Sequence, residues 1–134
     1  MITGVNHITL AVSNLQRSTW FYSEILGGAL RADGKRGAYL ELGNLWLCLT
    51  LSDDPIQPRS DYTHIALACS NEDFQILAKR ITDHARLWQD NRSEGASLYF
   101  LDPDGHKLEL HSGDLNTRLT HYRARPNSPI RVYN

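Results

Sequence analysis

A seven-residue stretch near the N-terminus recurs in the middle of the chain. "NHITLAV" at 6–12 returns as "THIALAC" at 63–69, and both copies share His-Ile-x-Leu-Ala and continue into Ser-Asn. In the first copy, residues of one parity are more polar than those of the other, which is typical of a half-buried β-strand. A chain of 134 residues that contains this strand twice is predicted to fold as two related modules.

The residues after the first copy predict a helix and three strands. Ser13 and Gln16 have the spacing of a capping box, which predicts a helix over 15–26. Gly27 and Gly28 follow as the helix C-cap. Three short runs separated by turn residues are predicted to be strands: "GALRAD", "GAYLEL" and "LWLCLTL".

The second half predicts the same order. Ser70 and Asp73 form a second capping box before a helix over 71–84. The runs "ARLWQD", "SLYFLD" and "KLELH" follow as strands, with "DPDG" at 102–105 as a turn. The fold class is therefore α+β, with two β-α-β-β-β modules.

The chain is predicted to form one domain with four parts: a first module at 1–52, a linker at 53–61, a second module at 62–112, and a C-terminal helix and tail at 113–134. We expect each module to form an antiparallel sheet with its helix on one face. The bare faces of the two sheets would then form a cleft.

Charge and cysteine usage exclude several classes of function. The net charge is −1, so neither nucleic acid nor an acidic membrane surface is an expected partner. The chain has no apolar run of membrane-spanning length and no signal-peptide pattern at its start. Cys48 and Cys69 lie in apolar runs and are predicted to be buried free thiols. We therefore expect a cytoplasmic protein.

Two histidines and a glutamate are candidate metal ligands. His7 and His64 occupy equivalent positions in the two strand copies, and Glu109 lies between Leu108 and Leu110 on a predicted strand. Alternation alone leaves open whether Glu109 faces the core or water. Two imidazoles and one carboxylate suit Mn, Fe, Ni, Co or Zn, with positions left for substrate and water. His111 has the same strand parity as Glu109 and is a candidate neighbour of it.

Six stretches between Val5 and Leu119 together resemble the fosfomycin-resistance glutathione transferases (FosA). This family is a branch of the vicinal oxygen chelate superfamily, which includes glyoxalase I, extradiol dioxygenases and bleomycin-binding proteins. The stretches are "NHITLAV", "GAYLELGNLWLCL", "SDYTHIALA", "NRSEGAS", "YFLDPDGHKLELH" and "GDLNTRL". "NRSEGAS" followed by "FLDPDGHKLELH" is specific to this branch, whereas "FLDPDGH" alone indicates only the superfamily.

The resemblance implies a domain-swapped homodimer, in which the first module of one subunit pairs with the second module of its partner. Each site would hold Mn²⁺ through His7 of one subunit and through His64 and Glu109 of the other. The implied reaction is attack of the glutathione thiolate on the epoxide of fosfomycin, which confers antibiotic resistance.

The resemblance also assigns roles to residues that are otherwise ordinary strand formers, core aromatics or surface groups. The Thr9 hydroxyl would bond the opening oxygen, and Tyr39 would help to deprotonate the thiol. The pocket and phosphonate site would consist of Trp46, Tyr62, Ser93, Tyr99 and Arg118. A loop holding K⁺ would consist of Asn91, Ser93, Glu94, Gly95 and Ser97.

The chain departs from the family pattern at three positions. Gln89 replaces a common lysine, Gly34 replaces a tryptophan, and Ile65 replaces a tyrosine. Three alternatives therefore stay open. They are an enzyme of the same fold that uses another phosphonate, epoxide, thiol or water; a non-catalytic drug-binding module; and an extradiol-type iron dioxygenase.

Overall fold

The computed structural model describes residues 1–134 and contains the two β-α-β-β-β modules in sequence order. The first module consists of β1 (His7–Val12), α1 (Leu15–Trp20), β2 (Ala29–Asp33), β3 (Gly37–Leu42) and β4 (Leu45–Leu51). The second consists of β5 (Ile65–Ala68), α2 (Asn71–Thr82), β6 (Leu87–Gln89), β7 (Ala96–Leu101) and β8 (Lys107–Ser112). The predicted α+β fold is confirmed, and His64 lies one residue before its strand.

Each sheet is mixed, so the expectation of purely antiparallel sheets is wrong. The strand orders are β1-β4-β3-β2 and β5-β8-β7-β6. β1 runs parallel to β4 and β5 runs parallel to β8, whereas the other pairs are antiparallel. Because the helix after each first strand carries the chain back along the sheet, the next strand starts in the same direction. Two reversals then leave the last strand parallel to the first.

The first helix begins at Leu15, as predicted, but its N-cap is not the Ser13 of the predicted capping box. Asn14 is the N-cap, and its side chain accepts a hydrogen bond from the backbone N–H of Arg17 at 2.9 Å. Ser13 instead donates to the carboxylate of Asp104. The predicted capping box is therefore wrong, because the Ser13 hydroxyl donates to the carboxylate of Asp104 instead of capping the helix.

The remaining helix boundaries follow local capping more closely. α1 continues as a π-helical segment over Phe21–Ile25, close to the predicted end. Ser70 caps α2 through the N–H of Asp73 at 3.1 Å, and the short α3 spans Leu115–Arg123. None of these helices is long and apolar enough to cross a membrane.

The two modules share one hydrophobic core. It joins apolar side chains from α1, β3 and β4 to others from α2, β7 and β8. On β1 the core takes Ile8, Leu10 and Val12, whereas His7 and Thr9 are exposed on the opposite face. The two faces expected to form a cleft therefore point away from the core of the chain.

A polar cluster, partly buried, joins the turn between β7 and β8 to the first module. The Asp104 carboxylate accepts hydrogen bonds from the Ser13 N–H at 3.1 Å and from the Arg17 guanidinium at 3.2 Å. Tyr22 donates its hydroxyl to Asp102 at 2.8 Å. Burial, and then the negative charge of Asp102, raise the pKa of Tyr22 well above its ordinary value, so this hydroxyl stays a donor. The cluster holds the start of β8, the strand that carries Glu109.

The cysteines are free thiols, as predicted. Cys48 is buried and Cys69 is half-buried. Burial is the main cause that raises the pKa of Cys69 above its ordinary value, and the nearby charge of Asp73 adds to it. Because the thiolate is the reactive form, Cys69 is a poor nucleophile.

Candidate metal centre

Glu109 and His64 meet on one face of the second sheet. Glu109 is only 5% exposed, and its Oε1 lies 3.0 Å from Nε2 of His64. Leu108 and Leu110, on either side of Glu109 in β8, belong to the core on the opposite face. The alternative in which Glu109 faces water is therefore excluded.

The spacing of this pair fits a divalent metal. Two ligand atoms that each lie about 2.1 Å from a metal and subtend a right angle are about 3.0 Å apart. The observed 3.0 Å between His64 Nε2 and Glu109 Oε1 equals that value. An imidazole nitrogen and a carboxylate oxygen also form a donor set suited to Mn²⁺ and its neighbours. Nδ1 of His64 is buried without a hydrogen-bond partner.

The second oxygen of Glu109 is already bonded. Ser97 on β7 donates its hydroxyl to Glu109 Oε2 at 2.6 Å, and His111 Nδ1 lies 2.7 Å from the same hydroxyl. Ser97 pairs with His111 in the β7–β8 register, so all three side chains share one face. His111 is thus a neighbour of the site, as its strand parity indicates.

A group of three neighbouring aromatic rings packs against His64. The ring centres of Tyr62, Tyr99 and Trp88 lie 5.5, 5.9 and 6.0 Å from that of His64. Trp88 is anchored by a hydrogen bond from Nε1 to the Leu108 carbonyl at 3.1 Å. Trp88 is a neighbour of the site that the sequence pattern does not indicate, although it lies three residues before "NRSEGAS". These rings restrict the orientation of His64.

A second group of candidate residues lies on the open face of the first sheet. The His7 ring is centred 4.5 Å from Trp46, and the Tyr39 ring is centred 5.3 Å from Trp46. Thr9 and Tyr39 both pair with Cys48 of β4, so their side chains lie in one row. Tyr39 is 48% exposed and Trp46 is 40% exposed. Such exposed rings are available to a ligand or to another protein surface.

A single chain does not bring the two groups together. No hydrogen bond, ion pair or aromatic contact joins the group around His7 to the group around His64 and Glu109. No three His, Cys, Asp or Glu side chains of the chain are arranged to hold a metal ion. One chain therefore presents two candidate ligands on the second module and the third candidate on the first sheet.

The loop at 91–97 is closed by its own hydrogen bonds and tied to α3. Asn91 donates to the Gly95 carbonyl at 2.9 Å and accepts from both the N–H and the hydroxyl of Ser93 at 3.0 Å. Arg118 donates to the Glu94 carboxylate at 3.2 Å and to its carbonyl at 3.3 Å. Partial burial lowers the pKa of Arg118, but side-chain hydrogen bonds with Glu94 and Tyr122 raise it, and the net shift is upward. Arg118 is thus a fixed cation next to the loop.

Comparison with known proteins places the whole fold among fosfomycin-resistance proteins. Residues 4–110 match the Glyoxalase/Bleomycin resistance protein/Dioxygenase superfamily. The chain is 49% identical over 130 residues to glutathione transferase FosA of Serratia marcescens, covering 94% of this chain and 92% of that protein. It is 41% identical over 135 residues to metallothiol transferase FosB of Staphylococcus epidermidis, covering 94% and 96%.

A solved structure is similar over a comparable length. It is a mutant of the fosfomycin resistance protein FosX from Listeria monocytogenes, in complex with Mn(II) and 1S,2S-dihydroxypropylphosphonic acid. The TM-score is 0.77 at 31% identity, over 91% of this chain and 99% of that one. Both modules of the chain therefore have counterparts in these proteins.

Proposed function

Because the chain belongs to the Glyoxalase/Bleomycin resistance protein/Dioxygenase superfamily and, within it, to the fosfomycin-resistance enzymes, we propose that it is a metal-dependent glutathione transferase that opens fosfomycin. The observation that carries this proposal is the distance of 3.0 Å between His64 Nε2 and Glu109 Oε1, which suits two ligands of one metal ion. Likeness to a glutathione transferase supports the choice of thiol. Product formation would inactivate the antibiotic and confer resistance.

The residues of the chain divide the chemistry among them. A divalent metal, Mn²⁺ by the example of the FosX complex, would polarise the epoxide C–O bond and stabilise negative charge on its oxygen. Thr9 donates a hydrogen bond to that oxygen, and Tyr39 helps to remove the thiol proton. As the sulfur–carbon bond forms, the C–O bond breaks and the oxygen takes up a proton.

Cationic and hydroxyl donors are expected to hold the phosphonate. Arg118 supplies the charge, Ser93 and Tyr99 supply hydroxyls, and Trp46 and Tyr62 line the pocket. Tyr99 is buried beside His64, so its hydroxyl belongs to the metal end of this pocket. K⁺ would lie in the loop of Asn91, Ser93, Glu94, Gly95 and Ser97, near the phosphonate.

We assign the missing ligand to a second copy of the chain. His7 lies on an exposed sheet face in one copy, while His64 and Glu109 lie on the other sheet. The apolar residues Ile2 and Val5 before β1 are also exposed, and exposed apolar groups next to an open sheet are typical of an interface. A homodimer with two shared sites accounts for both features.

One position favours a second candidate reaction, in which water or another thiol replaces glutathione. Gln89 donates to the Tyr62 hydroxyl at 3.3 Å, where the family commonly has a lysine. Addition of water to the fosfomycin epoxide would give a dihydroxypropylphosphonic acid, the type of ligand held by the FosX mutant. Another thiol is the corresponding choice by the example of FosB.

A ³¹P NMR time course of fosfomycin tests these reactions directly. The purified protein is incubated with Mn²⁺ and K⁺, and with glutathione, cysteine or no thiol. We expect a new phosphonate resonance only with both metal and glutathione, since the thiolate and the Lewis acid act together. A product without thiol would assign the reaction to water. No product in any sample, from protein that still binds Mn²⁺, would contradict the proposed function.

Changing Gln89 to lysine is expected to lower the KM for fosfomycin by about tenfold or more. The added ammonium would form a charge-assisted hydrogen bond with the phosphonate, which typically contributes about 1.5–3 kcal/mol. Steady-state kinetics measure this, with the exposed Gln75→Lys on α2 as the control for added charge. An unchanged KM in Gln89→Lys would remove this position from the substrate site.

A further inference from the structure

A chain of short hydrogen bonds runs from His111 through Ser97 to Glu109. His111 Nδ1 lies 2.7 Å from the Ser97 hydroxyl, which lies 2.6 Å from Glu109 Oε2. An ionised carboxylate only accepts hydrogen bonds, so the single hydroxyl proton of Ser97 points at Glu109. Ser97 must then accept from His111, which fixes the proton of the imidazole on Nδ1. The carboxylate therefore sets the direction of both hydrogen bonds: His111 donates to Ser97, and Ser97 donates to Glu109.

These two hydrogen bonds leave Glu109 with one oxygen available to a metal. Oε2 is held by Ser97, whereas Oε1 faces His64 Nε2 at 3.0 Å. The carboxylate is buried, so bulk water does not compete for either oxygen. A carboxylate turned part-way from this orientation would lose the hydrogen bond from Ser97, which is unfavourable.

The backbone around His111 is shaped to fit its ring. A Cβ at Gly113 would lie 2.7 Å from His111 Nε2, and a Cβ at Gly95 would lie 2.9 Å from its Cε1. Both distances are shorter than real carbon contacts allow, so a side chain at either position would displace the ring. Gly95 belongs to the loop at 91–97, and its φ of +84° also favours glycine. Nε2 and Cε1 are neighbouring atoms of the ring, so side chains at these two glycines would crowd the same edge of it.

We infer that His111, acting through Ser97, is a positioning residue that presents only Oε1 of Glu109 to the metal. The inference deepens the proposed metal site and rests on it. In this role His111 neither binds the metal nor contacts the substrate, and it acts only through its hydrogen bond with Ser97. Residues that orient metal ligands in this way typically affect metal affinity by about 10- to 100-fold.

Two substitutions at position 111 separate positioning from packing. His111→Leu keeps the bulk but removes the donor, and His111→Asn places an amide N–H close to the position of Nδ1. Mn²⁺ affinity is measured by electron paramagnetic resonance of the free ion in titrations of metal-free protein. We expect the Kd for Mn²⁺ to rise about 10- to 100-fold in His111→Leu. In His111→Asn we expect most of the wild-type affinity to be restored. Equal losses in both variants would contradict the inference.

A change at Gly113 tests the same point with the imidazole intact. Gly113→Ala brings a methyl group against Nε2 of His111 and is expected to weaken Mn²⁺ binding about tenfold. Gly34→Ala, whose added Cβ meets nothing within 4 Å, is the matched control and is expected to leave the affinity unchanged. Saturating Mn²⁺ should restore turnover in Gly113→Ala, because affinity rather than chemistry is impaired.

The outcomes distinguish the inference from the function on which it rests. Wild-type protein that does not bind Mn²⁺ would contradict the proposed metal site. Wild-type protein that binds Mn²⁺, with His111→Leu and Gly113→Ala at the same affinity, would contradict only the role of His111.

Discussion

Replacing Glu109 with glutamine is expected to remove Mn²⁺ binding and to lower fosfomycin turnover by about three orders of magnitude. Glutamine keeps the shape of the side chain, but it removes the charge that holds the metal. Lewis-acid stabilisation contributes several kcal/mol to such a reaction, and about 4 kcal/mol corresponds to a thousandfold change in rate. Metal binding and kcat/KM are measured on the same preparations.

The controls for this variant separate the loss of the metal from loss of the fold. Because a buried carboxylate is costly to desolvate, metal-free Glu109→Gln is expected to unfold at the same temperature as the wild type or at a higher one. Glu72→Gln, an exposed carboxylate in the first turn of α2, should leave metal binding and turnover unchanged. Wild-type Mn²⁺ affinity in Glu109→Gln would mean that Glu109 is not a ligand.

The order of elements could be predicted from the sequence because local patterns determine it. Alternation in "NHITLAV" indicates which residues share a face of β1, and the exposed His7 and Thr9 follow that pattern. The same pattern does not say what covers each face. The shared core turns the expected cleft faces away from each other, and it depends on packing between α1, α2 and strands more than fifty residues apart.

The failure at Ser13 has a similar cause. Its spacing to Gln16 is that of a capping box, but the hydroxyl is bonded to Asp104, 91 residues further along the chain. A local rule cannot include an acceptor on a distant turn. Asn14 takes over as the N-cap because its side chain can also accept from the first turn.

The candidate site could be predicted in part. The repeat indicated His7 and His64, but strand alternation left the direction of Glu109 open. The contacts with His64 and Ser97 decide it. The family resemblance placed Ser97 in the K⁺ loop, whereas its bond to Glu109 depends on the β7–β8 register, which no single strand reveals.

Mixed dimers of two inactive variants are expected to recover activity. In a His7→Ala/Glu109→Gln dimer, one site combines both defects, and the other combines the intact His7 of one copy with the intact His64 and Glu109 of the other. Each mixed dimer therefore has one working site out of two, and about half of the wild-type activity per dimer is expected. Each variant alone lacks a ligand at every site and is expected to be inactive.

The measurement is the fosfomycin turnover of mixed dimers, isolated through a different affinity tag on each variant. The two variants are coexpressed, and dimers carrying both tags are compared with wild type and with each variant alone. Recovery to about half of the wild-type rate would establish that two copies of the chain share each metal site and that the site acts on fosfomycin. Mixed dimers that are no more active than the two variants alone, beside an active wild type, would contradict the shared site.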